Sequence, residues 1–258
     1  MADKELPGKD TELFVFDLDG TLAPSKQPIE PEMVETLKKL IAKRRVAVIG
    51  GGSFEVFQNQ FKAMMESGDP NLKNLSLFPT SGAQYFKYDN GWHQMYEHGL
   101  SEGQRKKIIS AVKQAIRESG VEMPKQTYGE VIEDRGTQIT MSALGQTAPL
   151  ALKKDWDTDI AKRHKIKKIL DKLIPEFEVR IGGTSSIDVT KKGVDKAYGV
   201  RMMQYNLKVP VHKMFFVGDA LFPGGNDYAV LSTCIKVREV KDTEETRKFI
   251  ESILSNLD

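Results

Sequence analysis

Two apolar segments that lie far apart in the chain both end in carboxylates. Leu13–Phe16 leads into Asp17-Leu18-Asp19-Gly20-Thr21-Leu22, and Phe215-Phe216-Val217 leads into Gly218-Asp219. Short apolar runs that are bounded by turn residues are typical of buried strands. Because residues i and i+2 of a strand share a face, Asp17 and Asp19 can point into one site, where they repel each other unless a cation or a shared proton relieves them. For this spacing alone an ordinary turn is the alternative, since Asp and Gly are common turn residues.

The segments around these strands alternate between strand and helix. An alternation of this kind indicates a parallel sheet that is covered by helices on both faces. The predicted strands are Leu13–Phe16, Arg45–Ile49, Leu75–Phe78, Lys213–Val217 and Ile235–Val237, with a hairpin from Ala83 through Asn90-Gly91, and the predicted helices are Pro31–Lys43, Phe54–Met65, Gly193–Tyr205 and Glu244–Leu254.

The middle of the chain has a different order, α-β-β-α-β-β, which predicts an antiparallel sheet with helices on one face. Its segments are the helices Ser101–Ser119 and Asp157–Leu173 and the strands Thr127–Glu133, Thr137–Leu144, Phe177–Ile181 and Ser186–Val189. Ser101 and Gln104 have the spacing of a helix capping pair. We therefore expect a doubly wound, Rossmann-like α/β core formed by residues 1–90 and 189–258, with an inserted α+β domain formed by residues 91–188.

Composition excludes several classes of protein. The 258 residues are 40% hydrophobic and 29% charged with a net charge of +2, as expected of a globular protein without a global field for nucleic acid. The lysine-rich stretch from Lys153 to Lys172 has no interleaved aromatic residues along its helix, so we expect a solvated helix face. No apolar run approaches a membrane span, and the N-terminus lacks a signal-peptide core, so we expect a cytoplasmic protein. The single cysteine, Cys234, lies in an apolar run and is expected to be a buried thiol.

Three further motifs lie near the carboxyl ends of predicted strands. Open α/β sheets bind their ligands at this edge. Gly50-Gly51-Gly52-Ser53 stands between a strand and a helix, where free backbone N–H groups suit phosphate, although a plain loop is the alternative. Lys196 lies on a predicted helix and is otherwise an ordinary surface lysine. Gly224-Gly225-Asn226-Asp227 places another carboxylate shortly after Asp219. The combination of these motifs is more specific than any one of them.

Together these strings resemble the haloacid dehalogenase superfamily of phosphoryl-transfer enzymes, and its eukaryotic-type phosphomannomutase branch in particular. The resemblance covers nearly the whole chain. It implies a Mg²⁺ site formed by Asp17, the backbone carbonyl of Asp19 and Asp219, with Asp227 supporting the metal directly or through water. It further implies that Asp17 is a nucleophile that forms an aspartyl-phosphate and that Asp19 is the general acid and base. Lys196 and the N–H groups of Gly50, Gly51, Gly52 and Ser53 would hold the phosphate oxygens.

In that branch the inserted domain is a cap that holds the distal end of a sugar phosphate with arginines, a serine and an aspartate. By position, Arg135 matches the first cap arginine, and Ser186 and Asp188 match the serine and the aspartate. The chain departs from the branch at Gln146 and Lys153, which stand in place of two further cap arginines, and at Lys26, which replaces an arginine after the first motif. The resemblance also implies a homodimer that is formed through the cap.

These departures bear on the expected reaction. A phosphomutase must hold a bisphosphorylated intermediate by both ends, and arginine offers a bidentate fork that lysine and glutamine lack. We therefore expect a Mg²⁺-dependent phosphatase of a sugar phosphate or similar small phosphorylated metabolite. A hexose-phosphate phosphomutase is the alternative, and a catalytically silent binding protein is a third hypothesis, which the retained Asp17, Asp19, Lys196 and Asp219 disfavour.

Overall fold

The computed structural model describes residues 6–25, 27–182 and 184–257. They form two compact units. One unit runs to Glu97 and resumes at Val194, and the other spans His98–Gly193. The chain thus leaves the first unit once and returns to it, as expected of a core with an inserted domain.

The core unit contains a seven-stranded sheet in the order β11-β10-β1-β2-β3-β4-β5. The five strands from β11 to β3 are parallel, whereas β4 and β5 form an antiparallel hairpin at one edge. The strands are β1 Leu13–Asp17, β2 Arg45–Ile49, β3 Leu75–Phe78, β4 Gln84–Tyr88, β5 Trp92–Glu97, β10 Met214–Gly218 and β11 Lys236–Glu239. The predicted α/β fold is confirmed.

Helices cover both faces of this sheet because its central strands are apolar on both sides. Phe14 and Phe16 of β1 pack into one buried cluster, whereas Leu13 and Val15 pack into another. The core helices are α1 Pro31–Lys43, α2 Phe54–Gln60, α3 Lys62–Met65, the single turn α4 Pro79–Gly82, α8 Lys196–Leu207 and α9 Thr243–Leu257. Strands buried on both faces are typical of doubly wound proteins.

The inserted unit is an antiparallel sheet in the order β6-β7-β9-β8, with helices packed against it. Its elements are α5 Glu102–Glu118, β6 Ile132–Asp134, β7 Gln138–Ser142, α6 Leu150–Trp156, α7 Ala161–Leu173, β8 Phe177–Gly182 and β9 Ser186–Lys191. Ser101 and Gln104 form the predicted capping box of α5. The predicted inserted α+β unit with an antiparallel sheet is therefore present.

The boundaries between the units lie later than we expected from the sequence. Trp92–Glu97 pairs with Gln84–Tyr88 as the edge strand of the core sheet, so the core continues beyond residue 90. Ser186–Lys191 pairs along its whole length with Phe177–Gly182, so the inserted unit continues beyond residue 189. Strand pairing decides both boundaries. The apolar pattern along the sequence does not reveal which strands pair.

Several predicted elements are shorter or broken. Phe61 separates α2 from α3, and Thr127–Val131 is irregular rather than part of a strand. Leu150–Trp156 is a helix that the sequence pattern missed, and the next helix begins at Ala161 rather than at Asp157. Cys234 is exposed, not buried, and lies in the left-handed backbone region that ends a 3-10 helix. Within the described residues no helix has both the length and the hydropathy that crossing a membrane requires.

A buried ion pair lies at the break between α6 and α7. The Arg163 Nε atom donates to Asp157 Oδ2 at 2.7 Å, and the backbone N–H groups of Lys162 and Arg163 donate to the same carboxylate. Burial raises the pKa of Asp157, but these hydrogen bonds outweigh it, so the pKa lies below its ordinary value. Arg163 also donates to the backbone oxygens of Asp157 and Gly182, which ties the helix to the end of β8.

Arg163→Met should therefore destabilise the inserted unit. Removing one partner of a buried pair leaves an uncompensated charge, which costs about 3–5 kcal/mol. We expect a loss of this size in urea denaturation followed by tryptophan fluorescence in a Trp92→Phe background, in which Trp156 of the same unit is the reporter. Arg117→Met, at an exposed position of the same unit, is the matched control and should change stability by less than about 0.5 kcal/mol. Equal midpoints for the two variants would contradict a stabilising role of the ion pair.

Candidate active site

Asp17 is the last residue of β1 and is buried at the carboxyl end of the parallel sheet. It lies opposite Ile49 of β2, and its carboxylate is 1% exposed. The chain then turns sharply through Gly20, whose φ of +84° is a left-handed conformation that glycine adopts without strain. A Cβ atom on Gly20 would lie 2.4 Å from Asp219 Oδ2, so the absence of a side chain there lets the two acidic loops approach each other.

Lys196 is the first residue of α8, and it is buried rather than solvated. Its Nζ atom donates to Asp17 Oδ1 at 2.5 Å and also to Asp227 Oδ1. Asp195 begins the helix by accepting a hydrogen bond from the backbone N–H of Tyr198. Asp227 is fixed further by the backbone N–H of Ala220, which donates to Oδ2 at 3.0 Å. The structure thus brings Asp17, Lys196 and Asp227 together from distant parts of the sequence.

The charges of this cluster do not balance. Burial and the repulsion of Asp227 and Asp219 raise the pKa of Asp17 well above its ordinary value, although Lys196 opposes the rise. Burial and repulsion by Asp227 likewise raise the pKa of Asp219. Burial alone would lower the pKa of Lys196, but attraction to Asp17 and Asp227 outweighs it and raises that pKa. One ammonium group therefore faces three carboxylates, and a further cation would relieve their repulsion.

The residues present fit a divalent metal ion. Among the described residues, carboxylate oxygens of Asp17, Asp219 and Asp227 lie within 4.8 Å of one another. Asp17 Oδ2 is buried and has no hydrogen-bond partner in the described part of the chain. A buried charged oxygen without a partner is costly and points to a missing ligand. Carboxylate oxygens are the ligands that Mg²⁺ prefers.

The side chain of Asp19 lies apart from these three carboxylates. Its Oδ1 atom accepts a hydrogen bond of 2.8 Å from Nε2 of Gln60, the last residue of α2. The two aspartates of the first motif therefore have different surroundings, Asp17 beside Lys196 and Asp19 beside Gln60. Sequence reasoning missed Gln60 because nothing in the pattern distinguishes it from the neighbouring Gln58, which is exposed.

In the glycine-rich loop Gly50–Ser53, one of the four N–H groups that we expected to be free is engaged. The N–H of Gly50 donates to the carbonyl of Phe78 at 3.3 Å, so it is already engaged within the sheet. Ser53 caps α2, its Oγ accepting from the N–H of Val56. In the described part of the chain, the N–H groups of Gly51, Gly52 and Ser53 have no backbone acceptor. Of the four N–H groups that we expected to hold phosphate, that of Gly50 is engaged within the backbone, whereas these three are not.

A left-handed turn at Thr80 and Ser81 is hydrogen-bonded to this loop. Thr80 and Ser81 have φ values of 47° and 56°, which cost roughly 1 kcal/mol or more each for residues with a side chain. Their N–H groups donate to the carbonyls of Gly52 and Gly50, both at 2.8 Å. The next residue, Gly82, contacts Gly199 of α8 so closely that a Cβ on Gly82 would lie 2.5 Å from the Gly199 Cα atom. The turn therefore links the glycine-rich loop to the helix that carries Lys196.

Three of the predicted cap residues form one group. Arg135 is paired with Glu133, with Nη2 2.6 Å from Oε2, and the same Nη2 donates to Gln146 Oε1 at 3.4 Å. Lys153 is buried, and its Nζ atom donates to the backbone carbonyl of Gln146 at 2.7 Å. Nε2 of Gln146 is buried without a hydrogen-bond partner among the described residues. The group combines a paired arginine with a buried lysine, so it lacks the free guanidinium forks that would bind a phosphate in bidentate fashion.

The other two predicted cap residues lie on β9. Asp188 Oδ1 accepts a hydrogen bond of 2.8 Å from Thr140 of β7. Ser186 lies two residues before it on the same face of the strand, opposite Ser142. Gly182 leaves room for the Asp188 carboxylate, because a Cβ there would lie 2.4 Å from its Oδ2 atom. Lys26, the remaining predicted substrate-binding residue, lies outside the described residues.

Comparison with known proteins decides the family. A sequence model of a family described as eukaryotic phosphomannomutase matches residues 33–256. The chain belongs to the eukaryotic phosphomannomutase family. The match begins after the first motif, but a relative named probable phosphomannomutase from Caenorhabditis elegans is 28% identical over 264 residues, which cover 98% of this chain and 99% of that protein. Human phosphomannomutase 1 is 27% identical over 232 residues, which cover 87% of this chain and 84% of the human protein.

Solved structures show the same fold at lower identity. A C-terminally truncated IMP-nucleotidase from Plasmodium falciparum superposes with a TM-score of 0.72 at 18% identity, covering 96% of this chain and 72% of that one. A trehalose-6-phosphate phosphatase related protein superposes with a TM-score of 0.58 at 16% identity, covering 95% of this chain and 98% of that one. As a eukaryotic phosphomannomutase family member, the chain is a phosphoryl-transfer enzyme of the haloacid dehalogenase superfamily.

Proposed function

We propose that this phosphomannomutase family member transfers the phosphoryl group of a sugar phosphate through Asp17 and acts as a hexose-phosphate phosphomutase. The observation that carries the phosphoryl transfer is the buried carboxylate of Asp17, with one oxygen held by Lys196 and the other unpartnered. The names of the curated relatives favour the phosphomutase over the phosphatase that we expected first.

In the proposed first step, a carboxylate oxygen of Asp17 attacks phosphorus and the bond from phosphorus to the sugar oxygen breaks. Asp19 gives its proton to the departing oxygen. Lys196 orients the nucleophile, and the N–H groups of Gly51, Gly52 and Ser53 hold phosphate oxygens. Asp17, Asp219 and the Asp19 carbonyl would hold Mg²⁺, with Asp227 in support, and the ion would screen the charge of Asp17 from that of the phosphate.

In the second step, a hydroxyl group attacks the aspartyl-phosphate, Asp19 takes its proton, and the Asp17 carboxylate is restored. In a phosphomutase a hexose bisphosphate first phosphorylates Asp17, and the attacking hydroxyl then belongs to the hexose monophosphate; the bisphosphate that forms returns its other phosphoryl group to Asp17 and leaves as the isomeric monophosphate. In a phosphatase the hydroxyl belongs to water. Both reactions therefore share the core site and differ in the acceptor.

A phosphatase is the second candidate because of one observation in the cap. Glu133 already neutralises Arg135, and Gln146 and Lys153 replace two arginines of the family. A second phosphate bound beside Arg135 would have to compete with Glu133 for its guanidinium group. A cap of this kind suits an uncharged sugar hydroxyl better than a second phosphate.

Product analysis distinguishes the two candidates. The protein is incubated with mannose 1-phosphate and Mg²⁺, with and without a catalytic amount of a hexose bisphosphate, and the products are separated. Mannose 6-phosphate that depends on the bisphosphate indicates the phosphomutase, whereas free phosphate in proportion to substrate loss indicates the phosphatase. Asp17→Asn is the blank for contaminating enzymes. If the wild type forms neither product from a panel of sugar monophosphates, the proposed function is wrong.

Binding of Mg²⁺ should also stabilise the folded protein, independently of turnover. A ligand that binds only the folded state at about 100 times its Kd adds about 2.7 kcal/mol of stability. We expect a higher melting temperature with Mg²⁺ than with EDTA for the wild type, and a much smaller difference for Asp219→Asn. Asp10→Asn, an exposed change in the same unit, should keep the full difference. An equal response of the wild type and Asp219→Asn would exclude Asp219 as a ligand.

A further inference from the structure

The hydrogen bond between Gln60 and Asp19 joins two residues that are 41 positions apart in the chain. Gln60 is 6% exposed and stands between the buried Phe57 and Phe61. Its Nε2 atom donates to Asp19 Oδ1, whereas its Oε1 atom is buried without a partner in the described part of the chain. An unpaired buried acceptor is costly, so packing alone would favour an apolar side chain at this position.

The backbone around Gln60 leaves its amide little freedom. α2 ends at Gln60, and the carbonyl of Gln60 accepts a hydrogen bond of 2.7 Å from the N–H of Ile29. Ile29 lies just before α1 and is itself buried. Both the main chain and the side chain of Gln60 are thus fixed, and the direction of its amide is set before a substrate arrives.

We propose that Gln60 is a positioning residue that holds the Asp19 carboxyl group in the orientation required for proton transfer to the departing sugar oxygen. This inference rests on the proposed function, which makes Asp19 the proton donor. Proton transfer requires the donor within hydrogen-bond reach of the accepting atom. Asp19 is only partly buried, and the hydrogen bond from the fixed amide of Gln60 restricts the rotamers that its side chain occupies.

The leaving group separates this role from a structural one. A sugar oxygen needs a proton as it departs, whereas p-nitrophenolate is a stable anion that departs without one. The first chemical step is therefore measured with both kinds of substrate. With the sugar phosphate, the measurement is the rate of enzyme phosphorylation in a single turnover. With p-nitrophenyl phosphate, it is the rate of the p-nitrophenol burst. Measuring the first step excludes the later dephosphorylation, in which Asp19 acts with either substrate.

Gln60→Met removes the amide but keeps the length of the side chain. We expect the phosphorylation rate with the sugar phosphate to fall roughly 10- to 100-fold, a part of the 10²–10⁴-fold that general acid–base catalysis contributes. The burst rate with p-nitrophenyl phosphate should stay within about twofold. Gln58→Met, an exposed change on the same helix, is the matched control and should alter neither rate. Gln60→Asn, whose shorter amide does not reach Asp19, should reproduce the selective loss if Gln60→Met does not fold.

Three results would overturn the proposal. Equal losses with both substrates would show that Gln60 only maintains the structure of the site. No loss with either substrate, while Asp19→Asn loses phosphorylation by the sugar phosphate, would show that Asp19 needs no positioning and would leave the proposed function intact. If Asp19→Asn itself keeps the wild-type phosphorylation rate with the sugar phosphate, Asp19 is not the proton donor. That result would contradict both the proton-donor role in the proposed function and the positioning role of Gln60.

Discussion

Asp17→Asn should abolish turnover and leave the protein folded. We expect a loss in kcat on the order of 10⁴-fold or more, the scale seen when a member of a catalytic set is removed. The asparagine has nearly the same shape, and its amide oxygen can still accept the hydrogen bond of Lys196. What it lacks is the second anionic oxygen, which is the unpartnered atom in the structure. Turnover is measured with the substrate found by product analysis.

The same variant should be more stable than the wild type in metal-free buffer at neutral pH. Because burial raises the pKa of Asp17, the folded state holds its proton more tightly than the unfolded state does. This contribution to stability is fully present below the ordinary value of 3.8 and is lost as the pH rises through the raised pKa. An asparagine does not titrate, so the stability difference between Asp17→Asn and the wild type, measured in urea denaturation, should grow toward neutral pH.

Asp10→Asn is the control for both measurements. It alters an exposed residue ahead of the same strand and should keep wild-type turnover.

Lys196→Met should reduce both activity and stability. The Lys196 side chain is 1% exposed. Among the described residues, it is the only cationic side chain that forms hydrogen bonds with Asp17 and Asp227. Without it these carboxylates are buried beside Asp219 with no compensating charge. Breaking a buried ion pair in this way costs about 3–5 kcal/mol. We expect this loss in urea denaturation in EDTA, together with a loss of turnover because the nucleophile is no longer oriented.

A double variant tests whether the loss arises from charge. Combining Lys196→Met with Asp17→Asn removes one of the uncompensated charges, so the double variant should be more stable than Lys196→Met alone. Contacting residues couple by about 0.5–3 kcal/mol. Lys192→Met, at an exposed position, should stay within about 0.5 kcal/mol of the wild type. If Lys196→Met unfolds at the wild-type urea concentration, the buried lysine does not compensate the acidic cluster.

The core of the site was predictable because its parts lie at strand ends. Asp17 and Asp219 each follow an apolar run, and parallel strands bring their carboxyl ends to one edge of the sheet. The convergence of Lys196 and Asp227 on Asp17 was implied only by the resemblance, although the glycine-rich motif had already indicated a carboxylate shortly after Asp219.

Features that depend on contacts between distant segments could not be predicted. Thr80 and Ser81 adopt left-handed conformations although neither is a residue type that favours them, because their N–H groups are held by the glycine-rich loop. The sequence pattern indicated a helix that begins at Asp157, whereas α7 begins at Ala161 and Asp157 forms a buried pair with Arg163. The pairing of Arg135 with Glu133 likewise depends on side-chain rotamers that the sequence pattern does not show.

The most direct test of Asp17 as the nucleophile is to trap the phosphorylated enzyme. The protein is mixed with substrate and Mg²⁺, quenched in acid within the first turnover and reduced with borohydride, which converts an aspartyl-phosphate into homoserine. Mass spectrometry of the peptide containing residues 13–22 should then find homoserine at position 17 and unmodified aspartate at position 19. Phosphate transfer at the normal rate with an unmodified Asp17, or with homoserine at another position, would contradict the assignment of the nucleophile.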